Sequence, residues 1–178
     1  DPSRERVLLI EMEVAARALE ETLRNLAEAP ANRAPGPGSL AFASRKGSLR
    51  PPVDAQIGHA FGRVVDARFQ TETFARGVEF TAPQGDPVHA VAMGEVRYSG
   101  WFRGYGRIVI LDHGDGFFTI SGHLERVDVD LGQWVNEGAS IGIVGETGSL
   151  SGPSLYFEIR EHGQPVDPAE WLTPRGEG

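Results

Sequence analysis

Glycine restricts this chain more than any other residue, because 20 of its 23 glycines fall after residue 52. That is roughly double the usual share of about 7%, and each glycine inside a helix would cost about 1 kcal/mol relative to alanine. The second part of the chain is therefore expected to consist of short extended segments joined by turns. Alternating or briefly apolar runs at 77–81, 88–92, 94–99, 107–112, 117–123, 141–144 and 155–161 fit this, bounded by Asp115-Gly116, Asn136-Glu137-Gly138 and Glu146-Thr147-Gly148. The expectation is a mainly β domain over residues 53–172, closed into a compact sandwich or barrel. An open parallel sheet would need helical crossovers that this sequence does not offer.

The N-terminal 29 residues read differently. They contain no glycine, and Leu8, Met12, Ala15, Leu19, Thr22 and Leu26 repeat at 4-3-4-3-4, one stripe of an amphipathic α-helix that Pro30 ends. Such a stripe serves either a helix packed on its own domain or the end of a longer coiled coil. The run Ala29-Pro-Ala-Asn-Arg-Ala-Pro-Gly-Pro-Gly38 then predicts a Pro/Gly hinge within a linker over residues 30–52, and residues 173–178 form a tail.

Charge and composition exclude several functions. The chain carries 17 Lys+Arg against 25 Asp+Glu, and residues 53–178 alone hold 9 basic and 18 acidic side chains. This field repels phosphate backbones and no basic stripe offsets it, so nucleic acid is not an expected partner. Without cysteine there is no disulfide, thiol nucleophile or Cys-ligated zinc. The longest apolar runs, such as 107–111, fall far short of the roughly 20 residues that span a bilayer. The chain opens on charged residues rather than a signal peptide and lacks an initial Met, as expected of a piece whose targeting segment has been removed.

The order of motifs is specific. Gly85-Asp-Pro-Val-His-Ala90, Gly94-Glu-Val96, Gly104-Tyr-Gly106 with Ile108-Val-Ile110, Gly122-His-Leu124, Val135-Asn-Glu-Gly138, Gly152-Pro-Ser-Leu-Tyr-Phe-Glu-Ile-Arg160, Pro165-Val-Asp-Pro168 and Trp171-Leu172 follow one another over some 120 residues. The set resembles the lysostaphin-type LytM peptidase domain. Active members of that family cut cell-wall peptides with a zinc ion held by the His and Asp of a His-x-x-x-Asp motif and the second His of a His-x-His motif. Further histidines handle protons. Neutral imidazole and carboxylate suit Zn²⁺, and three protein ligands leave a position for water.

Laid on this sequence, the resemblance implies a degenerate site. Ala75 and Glu79 occupy the His-x-x-x-Asp positions, Ser154 and Tyr156 replace the two histidines of His-x-His, and His123 alone is retained. One carboxylate and one second-line imidazole fall below the three or four ligands a zinc site needs, so a non-enzyme without metal or cofactor is expected. His59, His89, His113 and His162 read as surface or turn residues, and Ser154 has no histidine spaced to activate it. A lipoyl or biotin carrier would need a lysine at a hairpin tip, whereas the single lysine, Lys46, precedes the domain.

Within the family, the Pro-Ser-Leu-Tyr-Phe-Glu-Ile-Arg ending and the preceding helix resemble EnvC-type murein hydrolase activators. The resemblance implies a metal-free groove that docks N-acetylmuramoyl-L-alanine amidases, lined by Arg76, Glu79, Tyr105, Ile108, Ser121, Tyr156 and Arg160, with Glu79 replacing an apolar residue and Ser121 an aromatic one. Tyr156 and Arg160 are residue types enriched at interface hot spots. It implies a cell-wall amidase as partner, a membrane-embedded division complex reached through the coiled coil, peptidoglycan as a further ligand, and a periplasmic or otherwise envelope-associated bacterial location. The N-terminal helix, or residues 39–50 with Leu40, Phe42 and Leu49, is expected either to fold over the groove and shield it or to serve as a disordered connector. The rival readings are a cryptic zinc endopeptidase built from Glu79, His123 and another histidine, and a plain peptidoglycan-binding module.

Overall fold

A computed structural model describes residues 2–29, 41–68, 70–150 and 152–174. One helix, α1 (Pro2–Glu28), precedes twelve strands. These are β1 (Gln56–His59), β2 (Gly62–Asp66), β3 (Thr71–Ala75), β4 (Val78–Thr81), β5 (Pro87–His89), β6 (Gly94–Phe102), β7 (Gly106–Gly114), β8 (Phe117–Val127), β9 (Trp134–Val135), β10 (Ser140–Val144), β11 (Leu155–Glu161) and β12 (Gln164–Val166). Ten form one antiparallel sheet in the order β1-β4-β11-β8-β7-β6-β9. β10 pairs with both β5 and β8, β12 lies on β11, and β2–β3 is a separate hairpin. The mainly β architecture with an N-terminal helix is thus the one expected. All seven anticipated strands are present. The five others left no periodic signal: β1 is exposed along its whole length, β9 has two residues and β12 three, so none presents an alternating buried face.

Alternation along the long strands divides the core. Val109 and Leu111 of β7 join Phe117, Leu124, Leu155, Phe157 and Ile159 in the main cluster, while Ile108 and Ile110 point the other way, to Phe118 and Ile120. The second face would be bare sheet without α1. Leu19 and Leu23 cover it and are themselves buried against Phe102, Ile108, Ile110, Phe118 and Ile120. The helix engages only from Ala15 onward. Ala15, Ala16, Leu19 and Leu23 are buried, whereas Leu8 and Met12 of the expected stripe stay 41% and 54% exposed. Gly104, at φ +85°, comes so close to Ala15 that a Cβ there would collide with it. Among the described residues, no helix is long and apolar enough to cross a membrane.

Two expectations need correction here. Residues 42–55 do not lie in the groove. Phe42, Leu49, Val53 and Ala55 belong to the main core, with Leu49 bridged in parallel to Leu172 and the Thr173 N–H donating to the Leu49 carbonyl (2.8 Å). This segment is an edge of the β body, because its apolar residues found partners around Trp171 (Phe42 centroid 5.3 Å away). Leu40 and residues 30–40 of the expected hinge lie outside the described residues.

His113 is likewise no surface turn residue. It is buried, its Nδ1–H donates to the Met93 carbonyl (2.8 Å), its Nε2 accepts from the Thr119 hydroxyl (2.8 Å), and Phe42 stacks on it at 4.8 Å. Nothing local hints at this, since one partner comes from the β5–β6 connection and the other from β8. Burial pushes its pKa down to about 4, against the opposing pull of the Met93 carbonyl and Asp112.

An unfolded chain takes up the His113 proton near pH 6.5 and the folded one only near pH 4, so the folded state loses ground as pH falls between those values. The wild type is expected to lose about 3 kcal/mol more over this window than His113→Gln. Urea unfolding midpoints at pH 7, 5.5 and 4 check this.

Candidate functional site

The candidate site lies on the helix-side face of the sheet, where β4, β11 and β8 bring one row of residues together. Tyr156 is opposite Glu79 on one side and Gly122 on the other. Directly opposed residues share a face, so Glu79, Tyr156 and Gly122 line the groove and Glu158 and Arg160 continue it along β11. The same register corrects Ser121. It is opposite Phe157, on the main-core side, and is buried. Ala75 ends β3 opposite Gly62. Ser154 is buried, bridged to Gly145, with its hydroxyl 3.4 Å from that of Ser149. Gly77 permits the approach of β4 to β11, because a Cβ there would meet the Phe157 carbonyl at 2.5 Å.

Tyr156 feeds a buried polar chain. The Tyr156 hydroxyl donates to Glu158 Oε2, and Arg160 Nε donates to Glu158 Oε1 at 2.6 Å. Arg160 Nη1 donates to Glu20 Oε1 of α1 at 2.6 Å and to the Gly163 carbonyl at 3.1 Å. Arg160 and Glu158 are both fully buried, so Arg160 is not the exposed interface cation expected; its Nε and Nη1 are spent between sheet and helix, while Nη2 is buried without a hydrogen-bond partner among the described residues. Burial raises the Glu158 pKa, with the Arg160 charge pulling the other way. For Arg160, burial opposes the charge, and the Glu158 and Glu20 carboxylates together hold its pKa above the usual value. Burial, followed by the Glu158 charge, also pushes the Tyr156 phenol well up, and burial does the same for Tyr105.

The other expected groove residues meet α1 as well. Arg76 pairs with Glu13 (3.5 Å) and Glu20 (3.8 Å). Ile108 is buried in the cluster with Leu19 and Leu23, and Tyr105 packs at its edge, with its ring 5.2 Å from that of Tyr156. At the far end, Arg97 donates to the Leu26 carbonyl (3.3 Å) and to that of Ala29, while its other nitrogen holds Asp112 at 2.7 Å. A guanidinium on the last carbonyls suits the negative end of the helix dipole. Glu13, Glu20 and Arg97 are the contributors that sequence reasoning missed. Only their partners could reveal them, and Glu20 lies 140 residues from Arg160.

Beside this network stands the retained histidine. His123 Nδ1–H donates to the Thr147 carbonyl (2.8 Å) and Nε2 faces Glu79 Oε1 at 3.2 Å, so a doubly protonated ring satisfies both acceptors. Its φ of +62° is unusual for a residue with a side chain and marks local strain at the site. His59, on the edge strand, approaches the other Glu79 oxygen at 3.9 Å. The His123 hydrogen bond holds the Glu79 pKa below the ordinary carboxylate value, against burial.

Zinc fits this donor set poorly. The positions of the family ligands supply one carboxylate, Glu79, already engaged by His123, with a methyl at Ala75 and a phenol at Tyr156 that burial keeps protonated. About three ligands are needed. Among the described residues, no group of three or more His, Asp or Glu side chains is placed to hold a metal ion.

Comparison with known proteins places this geometry in context. Residues 73–168 match Peptidase family M23. Over 121 residues the chain is 37% identical to the murein hydrolase activator EnvC of Escherichia coli, an overlap of 68% of this chain and 28% of that protein. Over 130 residues it is 36% identical to the DD-carboxypeptidase/endopeptidase Mpg of Neisseria meningitidis, covering 73% of this chain and 30% of that one. A zinc-containing peptidase from Vibrio cholerae superposes with a TM-score of 0.65 and 29% identity, covering 72% of this chain and 41% of that structure. The chain spans less than a third of the length of the two sequence relatives.

Because the depressed Glu79 pKa reflects its bond to His123, that pair stabilises the fold above the ordinary glutamate pKa and stops doing so as pH falls through the folded value. Glu79→Gln is expected to cost about 1 kcal/mol at pH 6, a difference that shrinks as pH falls below 4.5, as read from paired urea titrations.

Proposed function

Because this chain belongs to peptidase family M23, we propose that it keeps the family fold without the family chemistry. It acts as a non-catalytic activator of cell-wall N-acetylmuramoyl-L-alanine amidases in peptidoglycan splitting at cell division. One observation carries the reading: the sheet face that continues from Tyr156, at one of the family's imidazole positions, to Arg160 is covered at its Arg160 end by an amphipathic helix, α1, held through Leu19, Leu23 and Glu20. A surface that binds a helix in this way is suited to protein docking. The likeness to EnvC supports the same reading. The partners that follow are an amidase at the groove, peptidoglycan, and a membrane-embedded division complex reached through the exposed first half of α1. The setting is the bacterial envelope.

In this reading α1 is the shield. It covers Ile108 and engages Arg76 and Arg160, so an amidase reaches the groove only when α1 leaves. Departure strips Glu20 from a buried Arg160 and uncovers Ile108, Ile110, Phe118 and Ile120. Breaking a buried ion pair from one side costs about 3–5 kcal/mol, which keeps the shielded state dominant until a partner presents its own apolar residues and a carboxylate.

A second reading, a cryptic zinc endopeptidase, draws on the likeness to Mpg and on the position of His59 and His123 on either side of Glu79. Metal analysis of protein purified without chelator separates the two. Zinc well below one equivalent is expected, and a stoichiometric amount would replace the activator reading with the peptidase one.

Leu19→Asp combined with Leu23→Asp should free the groove in the intact chain and raise amidase stimulation by about tenfold over wild type. Adding Tyr156→Ala to that background should abolish most of the gain, since hot-spot aromatics contribute about 2 kcal/mol or more. Dye-release assays on purified sacculi give the readout. Absence of stimulation by wild type and freed variant alike would defeat the activator assignment, and equal stimulation would defeat the shield.

A further inference from the structure

A cavity of about 350 Å³ lies away from the groove, where residues 50–54, the start of β5 and residues 173–174 meet. Its shape is fixed by the main chain. The His89 N–H donates to the Pro52 carbonyl (2.7 Å), the Thr173 N–H to the Leu49 carbonyl (2.8 Å) and the Val144 N–H to the Asp86 carbonyl (2.8 Å). Pro51, Pro87 and Pro174, stiff at φ, form much of the lining together with buried Val53. A preformed concavity of this size with apolar walls and a few polar groups has the usual build of a small-ligand site.

Asp54 in this lining is already engaged, but other charged groups there are unspent. Among the described residues, the side chains of Arg50 and Asp86 take part in no hydrogen bond or ion pair. His89 Nδ1–H donates to the Gly138 carbonyl (3.1 Å), a tautomer that leaves Nε2 as a free acceptor. Arg50 approaches the same glycine: its Nη1 lies 3.6 Å from the point a Gly138 Cβ would occupy. The guanidinium and the imidazole therefore converge on one turn, with the Asp86 carboxylate on the same cavity lining.

We infer that this cavity binds a zwitterionic amino-acid head group. Its ammonium is taken by the Asp86 carboxylate and His89 Nε2, its carboxylate by the Arg50 guanidinium, and its hydrocarbon by the proline walls. Both charges are needed. A simple anion meets Asp54, Asp86 and a chain of net charge −8, and a simple cation leaves Arg50 unpaired, whereas a zwitterion satisfies Arg50 and Asp86 together. The proposal is independent of the groove, since none of these residues holds α1 or pairs with Glu79. Free amino acids and the amino-acid end of a peptidoglycan stem peptide share this chemistry.

Nitrogen-15 shift titrations of the full chain with 2,6-diaminopimelate, pimelate and cadaverine test it, because pimelate keeps the two carboxylates without the ammonium groups, cadaverine keeps the two ammonium groups at the same spacing without the carboxylates, and only the first carries both charges on one carbon. Saturable shifts at residues 50–54 and 86–89 are expected with 2,6-diaminopimelate at a Kd of about 1 mM, and at least about tenfold weaker binding of the other two. Arg50→Gln and Asp86→Asn, which remove no interaction of the fold, should each weaken binding by about tenfold. The tripeptide L-Ala-γ-D-Glu-diaminopimelate identifies the source: tighter binding points to the stem peptide, equal binding to the free amino acid, and both uphold the site. Pimelate or cadaverine binding as well as diaminopimelate, unaltered affinity in both variants, or no saturation by about 20 mM would overturn it.

Discussion

The Arg160 guanidinium is the joint on which the arrangement of this protein depends. It is fully buried, and a buried cation is tolerable only when paired and hydrogen-bonded. Glu158, two residues along the same strand, supplies one partner, and Glu20, from a helix at the other end of the chain, supplies the second. Remove the helix and the cation loses half its compensation; remove the cation and two carboxylates face each other beneath a phenol. Sheet, groove and helix are therefore energetically one unit, although α1 adds only Leu19 and Leu23 as fully buried large side chains to the face it covers.

The same joint shapes the chemistry of the cleft. An imidazole at position 156 would offer a lone pair to a metal; the tyrosine there turns its hydroxyl down the strand to Glu158 instead. Position 79 still carries a carboxylate, but His123, locked by the Thr147 carbonyl into a left-handed backbone conformation, takes it up. Each polar group that zinc chemistry would need is satisfied within the protein. What is left at the cleft is aromatic and aliphatic area with fixed charges at its edge.

Several features were legible in the residues. Strands β4 to β8, β10 and β11 announce themselves by alternating or apolar runs between glycine turns, and Asp115-Gly116 predicts the β7–β8 hairpin, both residues having positive φ. The substitutions at Ala75, Ser154 and Tyr156 were readable from motif order, as was the likeness to the LytM family. Other features were not. Ser121 was placed in the groove although strand register turns it to the core, and Phe42 and Leu49 look like a free amphipathic strap until Trp171 and Phe117 are seen to pack on Phe42. His113 reads as a turn residue because nothing local reveals the Met93 carbonyl and the Thr119 hydroxyl that bury it neutral.

By itself, then, the sequence determined local periodicity: where the chain must turn, which strands have one apolar face, that a helix opens it, and which metal donors are missing. These are properties of neighbours, set by backbone sterics and side-chain alternation over a few residues. Only the tertiary structure decided which half of α1 is used, that its docked face meets the second face of the sheet, and that Arg160 is a buried clasp rather than an exposed anchor. The reason is physical. Those outcomes depend on burial and on partners such as Glu20 and Arg160, 140 residues apart, whose energy exists only after folding has removed the water between them.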